Sequence, residues 1–449
     1  MRIGYCMGAL LVWMMSSCQK EMRWRYEDAF PEVFPDYVGV TIPESMAGND
    51  AEMFPLAMRD GRQCDISRKR NGDTVWVTVR AWRKGDREGV EYKRFPIYVS
   101  HDSIDPYVAY RLIEPGYESW SDISICQREL ASFEETPIVT NKVNGRGCIN
   151  CHSFAKGNPE RMLFHSRSAR NGGTFLLKDG KWECINFSEK GSGKPATYPA
   201  WHPSGKYVAF SSNDTHQCFH MAGNQPIEVY DNSSDIILYD VEKKRVLEPP
   251  VLNRKDKRAT FPAWNALGDT LYYCETDSIS HPSTNRSRIH YRLMKIGFDA
   301  VAGTFAGNPV EVGLAGLDRN AHSVSFPRVM GDYLMFTLTD YGTFPIWHDE
   351  ADLWLLNLRT GKVEACESLN SHSAESYHSW SSNGKWVVYG SRRQDGRYTQ
   401  LYFSHFDGHG GFSKPFLLPQ RRVEDNALRL KSYNIPEFVK SKVKEIKKL

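Results

Sequence analysis

Beyond its N-terminus, no stretch of this 449-residue chain reaches the about 18 consecutive apolar residues of a membrane helix. Charge of one sign is scarce too. Lys and Arg number 57 against 54 Asp and Glu, a net of +3, and the last thirteen residues, with Lys440, Lys442, Lys444, Lys447 and Lys448 against Glu437 and Glu445, hold that whole surplus. The remainder is neutral, which argues against a nucleic-acid-binding surface built from bulk charge. Common catalytic signatures are missing: there is no Gly-x-Ser-x-Gly elbow, no His-Glu-x-x-His and no P-loop. Acidic pairs such as Asp349-Glu350 and Glu134-Glu135 read as solvated turns. What is abundant is apolar and aromatic: 41% hydrophobic residues, with 12 Trp, 22 Tyr and 22 Phe, exclude a disordered chain, a collagen or a coiled coil. The length suits two or three domains.

The N-terminus reads as a targeting segment. Arg2 precedes a mainly apolar run, residues 3–15, the length of a signal-peptide core and too short for a permanent span. It ends in Met15-Ser16-Ser17-Cys18, and small residues before a cysteine resemble the bacterial lipobox, with Met15 where leucine is usual. Residues 1–18 are therefore expected to be a lipoprotein signal peptide and Cys18 the lipidated residue. An ordinary signal peptide with an incidental cysteine is the alternative. The mature protein is expected to be a soluble body anchored to the bacterial envelope, on its periplasmic or outer-membrane face. Gln19-Lys20-Glu21 loosely resembles signals for surface export. Export makes disulfides and thioether-linked haem available to the ten cysteines. Cys6 and Cys18 belong to targeting, while Cys64, Cys126, Cys184, Cys218, Cys274 and Cys366 are open to pairing or to plain burial.

Past residue 145 the chain repeats. Tyr198-Pro199-Ala200-Trp201, closed by Gly205, is echoed by Phe261-Pro262-Ala263-Trp264 with Gly268 and by Tyr377-His378-Ser379-Trp380 with Gly384. Phe326-Pro327-Arg328 with Gly331 is a degenerate copy. Each copy reads as a short strand, a Gly turn and further apolar strands, and three to four short strands per repeat of this size make a propeller blade. The Trp201-His202-Pro203-Ser204-Gly205-Lys206 segment resembles the TolB-type, WD-like repeat. Laid upstream, the template covers Cys148 to Ile185. Five candidate blades follow, near residues 147–187, 198–252, 261–313, 326–366 and 377–418. The expected fold is all-β: a TolB-like propeller of about five or six blades over 145–420, preceded by a small β-sandwich over 30–135 and followed by a basic tail, 421–449. Within that tail, residues 436–449 read as a short basic helix. Trp residues at blade spacing read as blade packing.

Cys148-Ile149-Asn150-Cys151-His152 is a Cys-x-x-Cys-His motif, the attachment signature of c-type haem. Two thiols at this spacing can form thioethers to both vinyl groups, with the adjacent histidine as axial ligand. Cys148, Cys151 and His152 are thus candidate haem c ligands, His152 on the proximal side. A disulfide, a redox dithiol and part of a zinc site are the other readings. There is no second Cys-x-x-Cys for zinc and no βαβ pattern for a thioredoxin-like dithiol. His165 is the candidate distal iron ligand. It shares a strand with Met162 and faces the other way, so only one can serve. His216, His220 and Met221, in an insertion of the second blade, are further candidates.

The chain also resembles a family of exported Bacteroidetes-type lipoproteins that combine a TolB-like propeller with this motif. The resemblance rests on residues 35–43 (Pro-Asp-Tyr-Val-Gly-Val-Thr-Ile-Pro), 111–117 (Arg-Leu-Ile-Glu-Pro-Gly-Tyr) and 147–154 (Gly-Cys-Ile-Asn-Cys-His-Ser-Phe), with Phe164-His165. After Pro43 the pattern departs, with Glu44-Ser45-Met46 in place of the family's continuation. It implies a haem-bearing propeller without a settled reaction. The expected function is an exported c-type haem lipoprotein in electron transfer or redox sensing, the propeller docking a redox or envelope protein partner. The alternatives are an envelope interaction module with a structural Cys-x-x-Cys disulfide and no haem, and an enzyme using haem at the propeller axis.

Overall fold

The computed structural model describes residues 22–31, 35–47, 63–114, 122–168, 172–187, 195–220, 225, 227–318, 320–422 and 424–448. The signal segment, Cys18 and Met221 lie outside the described residues.

Each sequence repeat forms a four-stranded antiparallel sheet. Blade 1 is Cys148–Phe154, Met162–Arg167, Gly173–Lys178 and Lys181–Ile185; blade 2 is Ala196–Trp201, Tyr207–Phe219, Ile227–Asp240 and Arg245–Leu247. Blade 3 is Lys257–Trp264, Thr270–Asp277, Arg292–Asp299 and Thr304–Glu311; blade 4 is Ser323–Met330, Tyr333–Thr339, Asp352–Asn357 and Val363–Ala365. Blade 5 is Glu375–Trp380, Trp386–Ser391, Gln400–His405 and Phe416–Leu417. Blade 6 is assembled from both ends of the chain: Ser432–Val439 pairs with Tyr107–Ile113, followed by Ser124–Glu129 and Glu135–Thr140. First strands of successive blades touch, and Ser432–Val439 touches that of blade 1, so a six-bladed propeller closes on itself.

The repeat residues explain how blades adhere. Gly205, Gly268 and Gly384 take φ of 70°, 79° and 69° in the turn after the first strand, a region open to glycine at little cost. The repeat tryptophans reach backward: Trp264 Nε1–H donates to the Ala200 carbonyl (3.1 Å) and Trp380 Nε1–H to that of Arg328 (3.3 Å), each in the preceding blade.

Two sequence expectations are corrected. The segment 30–135 does not make one sandwich. Its first part, with Arg23–Glu27, builds a single six-stranded sheet from Thr41–Pro43, Gln63–Asn71, Thr74–Trp82, Glu88–Tyr92 and Phe95–Ser100. The strands from Tyr107 onward belong to blade 6. This sheet packs on blade 5, where Trp386 Nε1–H donates to the Asp102 carbonyl (3.0 Å) and Asp105 accepts from Ser382 N–H (2.6 Å) and Oγ–H (2.7 Å). Nor is the C-terminus a basic helix. Ser432–Val439 is the innermost strand of blade 6, and beyond it Val443 and Ile446 are buried against that blade. Gln127 ties both backbone groups of Val443 at 2.7 Å, and Ile446 N–H donates to the Ile138 carbonyl at 2.7 Å. Buried positions 439, 443 and 446 are spaced as on a helix face, yet each is anchored to the sheet instead.

Closure by a strand from the other end of the chain makes a test. Ending the chain after Leu430 is expected to abolish a single cooperative calorimetric transition, whereas removing only Lys447 onward leaves it intact. A cooperative transition in the shorter chain would contradict the closure.

Candidate functional site: the axial cavity

All six innermost strands carry the same irregularity. Their register with the second strand slips by a bulge between Asn150 and Ser153, Thr197 and Ala200, Thr260 and Ala263, Ser325 and Arg328, Ser376 and Ser379, and Asn434 and Glu437. The first residue of each bulge is left-handed: Cys151 (φ 51°), Tyr198 (46°), Phe261 (53°), Phe326 (54°), Tyr377 (51°) and Ile435 (45°). A bulge re-aims a side chain, and here the aim is the propeller axis. Tyr198, Phe261, Phe326 and Tyr377 follow one another in tilted and edge-to-face contacts at centroid distances of 4.5, 5.0 and 4.8 Å, plugging the channel. The second bulge residue is Pro199, Pro262, Pro327, His378 or Pro436, at a position where the ladder needs no N–H.

Cys151-His152 is therefore the bulge pair of blade 1. His152 is buried (2% exposed) on the first strand of blade 1, beside Ala109 in the second strand of blade 6. His378, the matching residue of blade 5, is bonded through Nε2 to the Met335 carbonyl (3.0 Å) in the second strand of blade 4, whereas His152 Nε2 is buried without a partner. Burial and the nearby arginines, Arg111 and Arg328 respectively, push both imidazoles down to about 3, so both are neutral. Cys148 and Cys151 instead line the axial cavity, whose lining excludes His152. Two thiols and an axial imidazole must face one porphyrin. Of the three, Cys148 and Cys151 line the cavity and His152 does not, so the arrangement does not present all three to one porphyrin.

The other candidates are also dispersed. His165 is buried in the second strand of blade 1, bonded through Nδ1 to Thr174 Oγ1 (3.2 Å), and lines a separate cleft with Ser166, Phe187 and Ala196. Burial and Arg167 push its ring down to about 3. Met162 points the opposite way into the core shared by blades 1 and 6, as strand alternation requires. His216 is exposed, stacked on Tyr230 at 5.8 Å and 3.7 Å from Asp214; His220 is half-buried at the hairpin's end. Among the described residues no group of three His, Cys, Asp or Glu is placed to hold a metal ion. Cys126, Cys274 and Cys366 are buried thiols in no disulfide, as are Cys148 and Cys151 in none.

The cavity, of about 240 Å³, lies at one mouth of the axis. Cys151, Tyr198, Tyr377 and Ile435 form its floor; Arg111 and Arg167 stand on blades 6 and 1. Its remaining wall is the insertion of blade 2, whose strands of 13 and 14 residues extend past the blade as a hairpin and present Thr215, Gln217, Ile227 and Val229. Alternation turns Glu228 to the hairpin's other face. There Glu228, 1% exposed, accepts from Tyr341 Oη–H (3.0 Å) and Gln225 Nε2–H (3.0 Å), with Arg286 Nε and His348 Nε2 each 3.6 Å away. His348 Nδ1 also binds Glu350 (2.9 Å). The clasp ties the hairpin to the loop that supplies Phe344, Ile346 and Trp347 to the opposite wall. Sequence reading missed this clasp and both arginines; a hairpin insertion with an isolated Glu between apolar residues was the available signal.

No family model and no curated protein matches the chain. Solved structures resemble it in fold. An oligogalacturonate lyase in complex with manganese aligns at TM-score 0.39 and 11% identity, over 70% of this chain and 74% of that one. The tricorn protease aligns at 0.37 and 10%, over 77% and 39%, and the β-propeller domain of the Trilobed protease from Pyrococcus furiosus at 0.34 and 12%, over 80% and 98%.

The clasp sets a pH dependence. Burial opposes protonation of His348, but hydrogen bonds and charge from Glu228 and Glu350 outweigh it and lift the ring to about 9. A folded value above the unfolded one, about 6.5, gives stability that is full below about 6.5 and lost as pH rises through about 9. The melting temperature is expected to fall between pH 6.5 and 9 more steeply in the wild type than in His348→Gln. Parallel profiles would refute the clasp.

Proposed function

We propose that this chain is an exported, lipid-anchored propeller of the bacterial envelope that works as a binding module, with the axial cavity as its ligand-facing site. The observation that carries this reading is the divergence of the Cys-x-x-Cys-His residues: Cys148 and Cys151 line the cavity while His152 is buried outside its lining, beside blade 6. A cavity roofed by a clasped hairpin supports binding over a purely structural role, since pockets at the mouth of a closed β-architecture are common ligand sites. Export and lipidation at Cys18 rest on the 1–18 pattern.

The competing reading is a c-type haem lipoprotein serving electron transfer or redox sensing. One observation favours it: His152 Nε2 is buried without a partner, beside a strand that turns two thiols to one space. Haem attachment would require the first strand of blade 1 to leave its place so that ring and thiols converge.

A denaturing gel stained for haem peroxidase activity separates the two, using protein exported from a host with haem-attachment machinery beside Cys148→Ser/Cys151→Ser. The binding-module reading expects no stain in the wild-type band where a control cytochrome stains. Stain that survives boiling and vanishes in the variant would overturn it. Cys18→Ser is expected to move the protein from the membrane fraction to the soluble fraction; unchanged partitioning would remove the lipid anchor.

A further inference from the structure

We propose that the axial cavity receives a small organic carboxylate, held by Arg111 and Arg167; this rests on the reading of the cavity as a ligand site. Arg111 lies in the second strand of blade 6 and Arg167 ends the second strand of blade 1, and both line the one cavity. Among the described residues neither guanidinium makes an ion pair or a side-chain hydrogen bond, and Arg111 Nε is buried without a partner. Arg111 in this respect differs from other arginines of the interior, while Arg167 is exposed at the cavity's edge. Arg128 donates to the Pro419 and Ser132 carbonyls and to Gln420, Arg392 to the Ile346 and Gly396 carbonyls, and Arg429 to Glu135.

A guanidinium with a buried, unpaired nitrogen, as in Arg111, carries a desolvation cost that surface lysines do not. An incoming anion offsets that cost. The planar guanidinium fork matches a carboxylate in particular, giving charge-assisted, bidentate hydrogen bonds. Asn150 Oδ1, also buried and unpartnered, stands beside the thiols as an acceptor for a ligand hydroxyl or amine. The one lining carboxylate, Glu114, pairs with neither arginine. Ile227, Val229, Phe344 and Trp347 offer apolar surface to the rest of the molecule. A volume of about 240 Å³ falls below the about 300–1,000 Å³ of drug-sized sites, so the ligand is of single-ring or short-chain size.

Calorimetric titration of the full mature chain with benzoate, benzamide and inorganic phosphate tests this. Benzoate is expected to bind, with benzamide and phosphate at least about tenfold weaker, and Arg111→Gln or Arg167→Gln is expected to weaken benzoate about 10- to 100-fold. Arg167 is solvent-exposed, so that variant keeps the fold, and an unchanged melting temperature verifies it. Benzamide or phosphate binding as tightly as benzoate, or arginine variants without effect, would overturn the carboxylate inference. Gln217→Trp, at an exposed lining position, blocks the mouth. If neutral and anionic probes bind alike and Gln217→Trp abolishes both, the carboxylate inference falls and the ligand site stands. If no probe binds, or Gln217→Trp changes nothing, both fall.

Discussion

The left-handed bulge at the centre of each innermost strand is the constraint on which the rest of the molecule depends. A non-glycine residue in this region costs about 1–2 kcal/mol, and the chain accepts it six times, from Cys151 to Ile435. The strain is held because each bulge turns one side chain to the axis, where four aromatic rings meet in succession, tilted or edge to face. Bulges also let proline enter a strand that would otherwise exclude it. Ring closure by Ser432–Val439 then fixes all six bulges at once, since no blade has an open neighbour.

This constraint reinterprets the most conspicuous motif of the sequence. Cys151 and His152 occupy the positions filled by Tyr198-Pro199 or Tyr377-His378 elsewhere, and their backbone requires nothing of haem. His152 is buried at the seam between blades 1 and 6, at the position where His378 bonds blade 5 to blade 4. What distinguishes blade 1 is that a thiol replaces an aromatic ring at the axis. A smaller side chain there leaves room, and the axial cavity has Cys151 on its floor. The latch of Glu228 and His348 closes the cavity's side by pinning the hairpin of blade 2, so that a buried charge pair serves geometry around the site.

Blades 2, 3 and 5 were legible because each writes its signature locally, an aromatic residue followed by Pro or His, a tryptophan and a turn glycine; blade 4 is a degenerate copy without the tryptophan, and blade 1 was found only by laying the template upstream. Blade 6 was not, because Tyr107–Ile113 and Ser432–Val439 meet across more than 300 residues and neither carries the tryptophan. Alternating strands such as Tyr107–Ile113 have the same period in a sandwich as in a blade, so the boundary at residue 135 fell inside a sheet. The C-terminal spacing of Val439, Val443 and Ile446 mimicked a helix for want of any local sign of Gln127, the side chain that clasps that segment. For the site, the place of Cys148 and Cys151 on the first strand of a blade was legible from the repeat template, whereas Arg111 and Arg167 come to line one cavity only when blade 6 closes on blade 1.

The most direct measurement of this account is the thermal unfolding of Cys151→Tyr, which gives blade 1 the Tyr-His pair already present in blade 5. The account predicts a folded protein with a cooperative transition within a few degrees of the wild type, since the cavity has room for the ring and Tyr377 already takes the same left-handed backbone in blade 5. Failure to fold, or the loss of a covalently bound chromophore that the wild type carries, would contradict it.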